Sequence, residues 1–246
     1  MWPFNSKTQL AESALFDGFA DCHCHILPGV DDGVRTMEES LAVLSHYERL
    51  GVREVWLTPH IMEDCPNATS ALRQRFAELT DAYSGAIALH LSAENMLDSL
   101  FRERLRDGDL LPWGKCGDRL LVETSFVHAP ANFLSLLSDI KSKGFFPVLA
   151  HPERYLYMTP QRYRQLKAEG TEFQLNLLSL MGAYGRHAKA NARLLLREGL
   201  YDYVATDLHS HKMLESALQM KLGRKELTKI LGISRSATAR KILLTN

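Results

Sequence analysis

Residues 19–33 read FADCHCHILPGVDDG, and four soft metal ligands, Cys22, His23, Cys24 and His25, stand there in a row. The run is short, apolar-biased and followed by Pro-Gly, which predicts a β-strand leading into a turn. Successive side chains of a strand point to opposite faces. Asp21, His23 and His25 then share one face, while Ala20, Cys22, Cys24 and Ile26 share the other. That second face is wholly apolar if cysteine acts as a small hydrophobe. A thiolate zinc site calls for closely spaced cysteine pairs, whereas Cys65 and Cys116 stand alone. The histidines are therefore the expected ligands, and the cysteines are expected to pack. A pair of buried, hydrogen-bonded histidines is the alternative. Two histidines at i and i+2 beside an aspartate fit it less well than a lone histidine would.

Similar chemistry recurs along the chain. Asp31 and Asp32 lie in the loop after the first strand. His60 ends a second strand-like run, Glu94 ends a third, and Glu123 lies in a fourth. His151 ends the fifth, with Glu153 and Arg154 just beyond it. Asn176 lies in the sixth, and Asp207 and His209 end the seventh. One polar residue at a strand end is ordinarily a cap or a loop hydrogen-bonder. His, Asp or Glu at the same end of six strands instead suits a polynuclear site of imidazoles and carboxylates, a ligand mix that favours zinc, manganese or iron. Such a site generates hydroxide near neutral pH and neutralises charge developing on a phosphoryl group. Arg154 could fork onto phosphate oxygens or pair with Glu153 in a loop. A cysteine-nucleophile phosphatase is excluded by spacing. Six residues after the four cysteines stand Pro28, Val30, Ala71 and Val122, where an arginine would be needed. No G-x-S-x-G elbow occurs either.

These residues need elements to gather them. Thr36 and Glu39 form a capping box opening a helix that stops at Gly51. Strand signals follow at VREVWLTPH (52–60), IALHLSAEN (87–95), RLLVETSF (119–126), FPVLAHPER (146–154), EFQLNLLSL (172–180) and YDYVATDLH (201–209), with helical stretches between them. About seven βα units result, whose strands should run parallel with right-handed connections. Near-continuous apolar runs such as RLLV and FPVL fit strands covered by helices. A closed or nearly closed parallel barrel is the expected architecture, and its active site should lie at the C-terminal strand ends. A doubly wound sheet is the alternative, but no G-x-G-x-x-G or Walker sequence supports it.

The chain has 246 residues, enough for one large domain, and its 29 Lys and Arg balance 29 Asp and Glu, so no global charge points to nucleic acid or a membrane surface. The N-terminal stretch lacks signal-peptide character, no apolar run reaches a membrane span, and four scattered cysteines suggest a reducing, cytoplasmic setting.

HCH at 23–25, DDG at 31–33, TPH at 58–60, AEN at 93–95, VETS at 122–125, HPERY at 151–155 and TDLH at 206–209 together resemble the PHP (polymerase and histidinol phosphatase) superfamily. DxHxHxLPGVDDG combined with HPERY more narrowly resembles the bacterial CpsB/YwqE-type tyrosine phosphatases of capsule and exopolysaccharide operons. The likeness spans about residues 19–209. It implies an α/β fold, a distorted (β/α)7 TIM-like barrel holding three divalent ions, most often manganese, with iron or zinc possible. His23, His25, Glu94 and Asp207 would hold the first ion. Glu94 would bridge to a second, shared with Glu123 and His151. Asp32, His60 and His209 would hold the third. Arg154, Asp207 and His209 would be catalytic, and the cysteines would face the helices. The implied activity is hydrolysis of phosphotyrosine, by direct attack of metal-activated hydroxide, on an autophosphorylated tyrosine kinase of polysaccharide synthesis. The chain departs from the pattern after TDLH, where relatives often carry an arginine. SHKML follows here, so Lys212, Arg186 and His211 are the candidates for a second phosphate clamp.

Three segments are expected: an N-terminal extension over 1–18, the barrel over 19–210, and basic C-terminal helices over 211–246 packed on the barrel. The last segment carries eight Lys or Arg against two Glu. ELTKILGISRSATARKIL has a helix-turn-helix flavour with Gly232 at the turn, but helices packing on the barrel with a solvated basic face, without nucleic acid, are the preferred reading. Alternative functions are a PHP phosphatase of a small phosphoester such as histidinol phosphate, or a non-catalytic binding protein using the basic tail.

Overall fold

A computed structural model describes residues 7–239. The chain runs through β1 (Lys7–Gln9), β2 (Ala20–Cys24), α1 (Met37–Leu50), β3 (Glu54–Leu57), β4 (His60–Ile61), α2 (Thr69–Ala82) and β5 (Ala88–Leu91). It continues with β6 (Glu94–Met96), α3 (Ser99–Asp107), β7 (Arg119–Glu123), α4 (Phe133–Ser142), β8 (Phe146–Ala150), α5 (Pro160–Ala168) and β9 (Glu172–Asn176). Then come α6 (Leu177–Met181), α7 (Gly185–Glu198), β10 (Tyr203–Ala205), α8 (His211–Leu218), β11 (Lys221–Gly223) and α9 (Arg224–Ala239).

The parallel strands form a seven-staved barrel. β2, β3 and β5 pair in one sheet; β4, β6, β7, β8, β9 and β10 pair in the other. β3 and β4 are two lengths of one stave, interrupted at Thr58-Pro59, where proline cannot donate to a ladder. β5 and β6 form the next stave, interrupted at Ser92-Ala93. The barrel closes between first and last staves, where Asp207 N donates to His23 O and His25 N to Leu208 O, both at 2.8 Å. Buried Asp21 reinforces this seam by accepting from Thr206 N (3.0 Å), Thr206 Oγ1 (2.6 Å) and Tyr47 Oη of α1 (2.8 Å).

Local chemistry sets the boundaries. Thr36 Oγ1 accepts from Glu39 N and opens α1, which ends at Gly51 with φ +91°, a conformation open to glycine without steric cost. The LLSL run after Asn176, expected to extend a strand, is helical. Asn176 Oδ1 accepts from Leu178 N and caps α6.

The core has two layers. Ala20, Cys22, Trp56, Trp113, Leu121, Val148, Ala150, Tyr203 and Ala205 fill the barrel interior. A larger layer, including Cys24, Val55, Leu57, Val122, Leu149 and Val204, lies between strands and helices. This corrects the expected face assignment in β2. Cys24 does face the helices, but Cys22 points into the barrel and Asp21 points out to Tyr47. The register of β2 against β3 shifts between Asp21 and Cys24. A bulge of this kind breaks strict alternation, so Cys22 and His23 both turn inward.

β11 pairs antiparallel with β1, tying the two ends of the described chain together. α9 runs unbroken through Gly232, so the turn expected there is absent. Ile230 is fully buried, and Leu227, Leu231 and Ile233 pack on the core, which outweighs the roughly 1 kcal/mol that glycine costs inside a helix. Lys229 Nζ donates to Leu196 O and Arg197 O at the C-terminal end of α7, a favourable place for a cation. Arg240 and Lys241 lie outside the described residues. No helix among the described residues is long and apolar enough to cross a membrane.

Candidate metal centre

The C-terminal strand ends converge as a parallel barrel requires. The bulge in β2 aims His23 inward, and His25 follows on the same side. His23 Nδ1 lies 2.9 Å from Gln174 Oε1, and His25 Nδ1 lies 2.9 Å from Asp31 Oδ2. Both acceptors are oxygens, so each Nδ1 carries the proton and each Nε2 is left to face the site. Those two Nε2 atoms lie 3.1 Å apart. Around them stand Glu94 Oε2, at 3.2 Å from His23 Nε2 and 3.3 Å from His25 Nε2, and Asp207 Oδ1, at 3.3 Å from both. All four side chains are buried.

Two further groups adjoin this one. His60 Nδ1 lies 3.2 Å from Glu94 Oε2 and 3.1 Å from Glu123 Oε1, and His151 Nε2 lies 2.9 Å from Glu94 Oε1. On the outer side Asp32 Oδ1 is 3.4 Å from His60 Nε2 and 3.6 Å from His209 Nε2. Three sets can therefore each focus on one point: His23, His25, Glu94 and Asp207; His60, Glu94 and Glu123; and His25, Asp32, His60 and His209. The expected residues are thus all brought together. The grouping differs from the expected one: His25 faces the first and third foci, His60 faces the second and third, and His151 borders the second from the Glu94 side.

The donor set fits divalent cations. Two imidazole nitrogens at 3.1 Å with both Nδ1 protons committed elsewhere face lone pair to lone pair when both rings are neutral and proton to proton when both are charged; only one charged ring beside one neutral ring makes a hydrogen bond. A cation at their shared focus with two carboxylate oxygens would draw both lone pairs of the neutral rings together. Glu94 Oε2 and His60 Nδ1 meet their neighbours at 3.1–3.3 Å without a well-aligned hydrogen bond, and His151 Nδ1 is buried without a hydrogen-bond partner among the described residues, a state that ordinarily costs free energy.

Charge is strongly coupled here. Burial works against a charged His23, but the Glu94 and Asp207 carboxylates outweigh it and raise the imidazole to about 9. Burial likewise opposes ionisation of Asp31, yet the His25 hydrogen bond and charge hold it down at about 2. Burial and then the neighbouring His25 charge push His209 down to about 4, leaving it neutral. His209 Nδ1 donates to Asp207 O at 2.9 Å, so Nε2 presents its lone pair towards Asp32.

The backbone is constrained at the same place. His151 (φ +33°) and Asp207 (φ +53°) are the only non-glycine residues with positive φ among the described residues, and strained backbone of this kind concentrates at functional sites. Gly33 packs so tightly on His25 that a β-carbon there would fall 2.0 Å from the His25 carbonyl oxygen.

A cleft of about 510 Å³ opens above these groups. Arg154 reaches into it and donates to Asp207 Oδ2 at 3.0 Å, with its guanidinium 4.1 Å from the ring centres of both Phe126 and Tyr184. Asn176 Nδ2 donates to the same Asp207 oxygen at 2.6 Å. The carboxylate of Glu153 does not pair with Arg154. It is buried, accepting from Asn176 N and Tyr201 Oη. Of the three candidates for a second phosphate clamp, none lines the cleft; Met213 does, and His211 pairs instead with His46 at 3.1 Å.

Sequence reasoning missed Gln174, which fixes His23, and left Asp31 and Asp32 undecided. Gln174 and Asn176 repeat the i, i+2 polar spacing of His23 and His25, a signal that was present. Phe126, Tyr184 and the three methionines of the cleft wall, Met62, Met96 and Met213, carried no such signal.

The family model for capsular polysaccharide synthesis, CpsB/CapC, matches residues 19–246. The chain belongs to the CpsB/CapC family. The tyrosine-protein phosphatase YwqE of Bacillus subtilis is 31% identical over 198 residues, covering 78% of each chain. The tyrosine-protein phosphatase CpsB of Streptococcus agalactiae is 29% identical over 209 residues, covering 77% of this chain and 82% of that one. A solved chain from work on YwqE of B. subtilis and CpsB of Streptococcus pneumoniae, described as metal-dependent tyrosine phosphatases, superposes with a TM-score of 0.72 at 26% identity, over 92% of this chain and 96% of that one. The fold is accordingly the distorted (β/α)7 barrel of the PHP type that the sequence motifs implied.

Proposed function

We propose that this CpsB/CapC-family chain is a metal-dependent tyrosine-protein phosphatase acting on an autophosphorylated tyrosine kinase of capsule or exopolysaccharide synthesis. The observation that carries the reading is the convergence of His23, His25, Glu94 and Asp207 on one focus directly beneath an aromatic-clamped Arg154. His23, His25, Glu94 and Asp207 would hold one ion, Glu94, Glu123 and His151 with His60 a second, and Asp32, His60 and His209 a third, manganese being the proposed metal. Bound divalent ions supply a nucleophile from water at neutral pH and offset the charge gathering on the phosphoryl oxygens.

The chain's own residues do the rest. Arg154 cannot give up its proton in a protein, so its role is to bind phosphoryl oxygens as a fixed charge. Phe126 and Tyr184 hold the guanidinium from both faces, so little freedom is lost when a substrate arrives. Asp207 and Asn176 set its distance from the metal focus. A tyrosine leaving group, with a pKa near 10, departs with little help from a general acid. The cleft wall suits its ring. Met62, Met96, Phe126, Tyr184 and Met213 come from five different strand-end segments and are half-buried or more exposed, above a floor of buried His, Asp and Glu. Methionine adapts to an aromatic partner through its flexible, polarisable thioether. All four cysteines are free thiols, which supports the reducing, cytoplasmic setting included in this proposal.

The test is phosphate release by metal-stripped protein with and without Mn²⁺. The expected result is manganese-restored release from a phosphotyrosine peptide, well above that from a phosphoserine peptide or histidinol phosphate. Preference for histidinol phosphate would replace the substrate and keep the site. No release with Mn²⁺, Fe²⁺ or Zn²⁺ would overturn the reading.

A further inference from the structure

The rim of the cleft is chemically lopsided. Beside the second stave, next to cleft-lining Met62, it carries exposed Glu63 and Asp64. Beside the fourth and fifth it is apolar. Among the described residues five large hydrophobic side chains are strongly exposed, and four of them, Phe126 (36%), Val127 (52%), Leu134 (41%) and Leu156 (56%), belong to the segments following β7 and β8. Exposed apolar side chains scattered singly need no explanation, but a contiguous group beside a cleft marks a binding surface.

These segments form one surface. Leu156 N donates to Phe126 O at 2.8 Å, which locks the two loops side by side. Phe126, Tyr155 and Tyr157 stack in series beneath it, with centroids 6.2 and 5.6 Å apart, and Tyr155 is fully buried. The surface is therefore rigidly backed rather than a loose loop. It continues outward into a groove of about 470 Å³ lined by residues 129–135 with Tyr157, Met158 and Arg162. Phe126 belongs to both places, since it lines the metal cleft and clamps Arg154. A polypeptide whose tyrosine enters the cleft can reach this flank within the next few residues, at about 3.3–3.6 Å each.

We propose that this flank docks the substrate segment on one side of the phosphotyrosine and selects segments carrying an apolar side chain there. The proposal rests on the phosphatase reading above and adds what the flanking residues must be. The acidic rim opposite disfavours acidic residues on the other side of the tyrosine, because like charges are brought together there. Val127 and Leu156 are not among the residues that line the metal cleft, so they report on docking rather than on the chemistry.

The experiment compares p-nitrophenyl phosphate with two phosphotyrosine peptides differing only in leucine or uncharged asparagine at the positions flanking the tyrosine, using manganese-loaded full-length protein. Wild type, Val127→Asp and Leu156→Asp are measured, with Val127→Ser and Leu156→Ser as milder versions and thermal melting to verify folding. Partial burial of one aliphatic side chain corresponds to about a tenfold change in affinity. The expected result is therefore a wild-type preference of about tenfold for the leucine peptide in kcat/KM. Each aspartate variant should erase it through KM, with kcat and KM for p-nitrophenyl phosphate unchanged. Equal use of both peptides by wild type, or a preference that survives both aspartate variants, overturns the docking surface while leaving the phosphatase reading intact. Failure of wild type to turn over any of the three substrates overturns that reading and this one with it.

Discussion

Arg154 and His23 show how a side chain's neighbours decide what it can do. An arginine after a strand could equally form a loop ion pair, and Glu153 stands next to it. The structure buries Glu153 against Asn176 and Tyr201 instead, freeing the guanidinium for the cleft. There two rings and one carboxylate fix its plane. Lysine would keep the charge but lose the flat fork and the stacking. Arg154→Lys should lower kcat/KM for a phosphotyrosine peptide by about 100-fold, within the range for removing one preorganised donor from a transition state, with manganese content and melting temperature unchanged. A loss under tenfold would show that a point charge suffices there. His23 is held from the other side by Gln174, and that oxygen sets its tautomer. Partners of this kind orient metal-ligating imidazoles and raise their basicity.

At the scale of elements, the loop after β2 does the most for the site. Asp31 accepts from His25 Nδ1, Gly33 N and His60 N, so one carboxylate sets two imidazole-bearing strand ends. This needs Gly33 to lie against the His25 backbone, where no β-carbon fits. Gly33→Ala should push His25 and the loop apart and weaken manganese binding by about 10- to 100-fold, the usual cost of disturbing a ligand's support, as read by metal titration of folded protein. Unchanged affinity would mean the loop can yield without moving His25. Much of this element layer was legible. The seven staves stood out because apolar runs and polar strand ends recur at βα spacing, and the Thr36 cap needs only local hydrogen bonds. The bulge in β2 was not legible: alternation predicts Cys22 outward and Asp21 inward, and only pairing with β3 sets the actual register. The LLSL turn of α6 was lost because a short apolar run does not distinguish strand from helix. The run of α9 through Gly232 was hidden for a similar reason, since Ile230 and its neighbours hold the helix by tertiary packing.

On the scale of the whole molecule, the barrel spends its strand ends on a cluster of charges that would oppose folding if left unbalanced. In metal-free protein, protons supply part of the balance. His23 is raised from 6.5 to about 9, so its imidazolium stabilises the folded state fully below about pH 6.5, and that contribution is lost as pH rises through about 9. Cation binding needs the same nitrogen deprotonated and must displace this proton. Two opposite trends follow for one protein. Metal-stripped protein should lose melting temperature between about pH 6.5 and about pH 9. The upward shift produced by a fixed Mn²⁺ concentration should grow over the same interval, approaching about 4 kcal/mol of stabilisation once free metal exceeds Kd by a thousandfold. Thermal melts across that range, with and without Mn²⁺ under anaerobic conditions, read both trends at once. A metal-induced shift that stays flat with pH would mean that His23 binds no metal, and the balance of charge at the barrel mouth would then rest on protons alone.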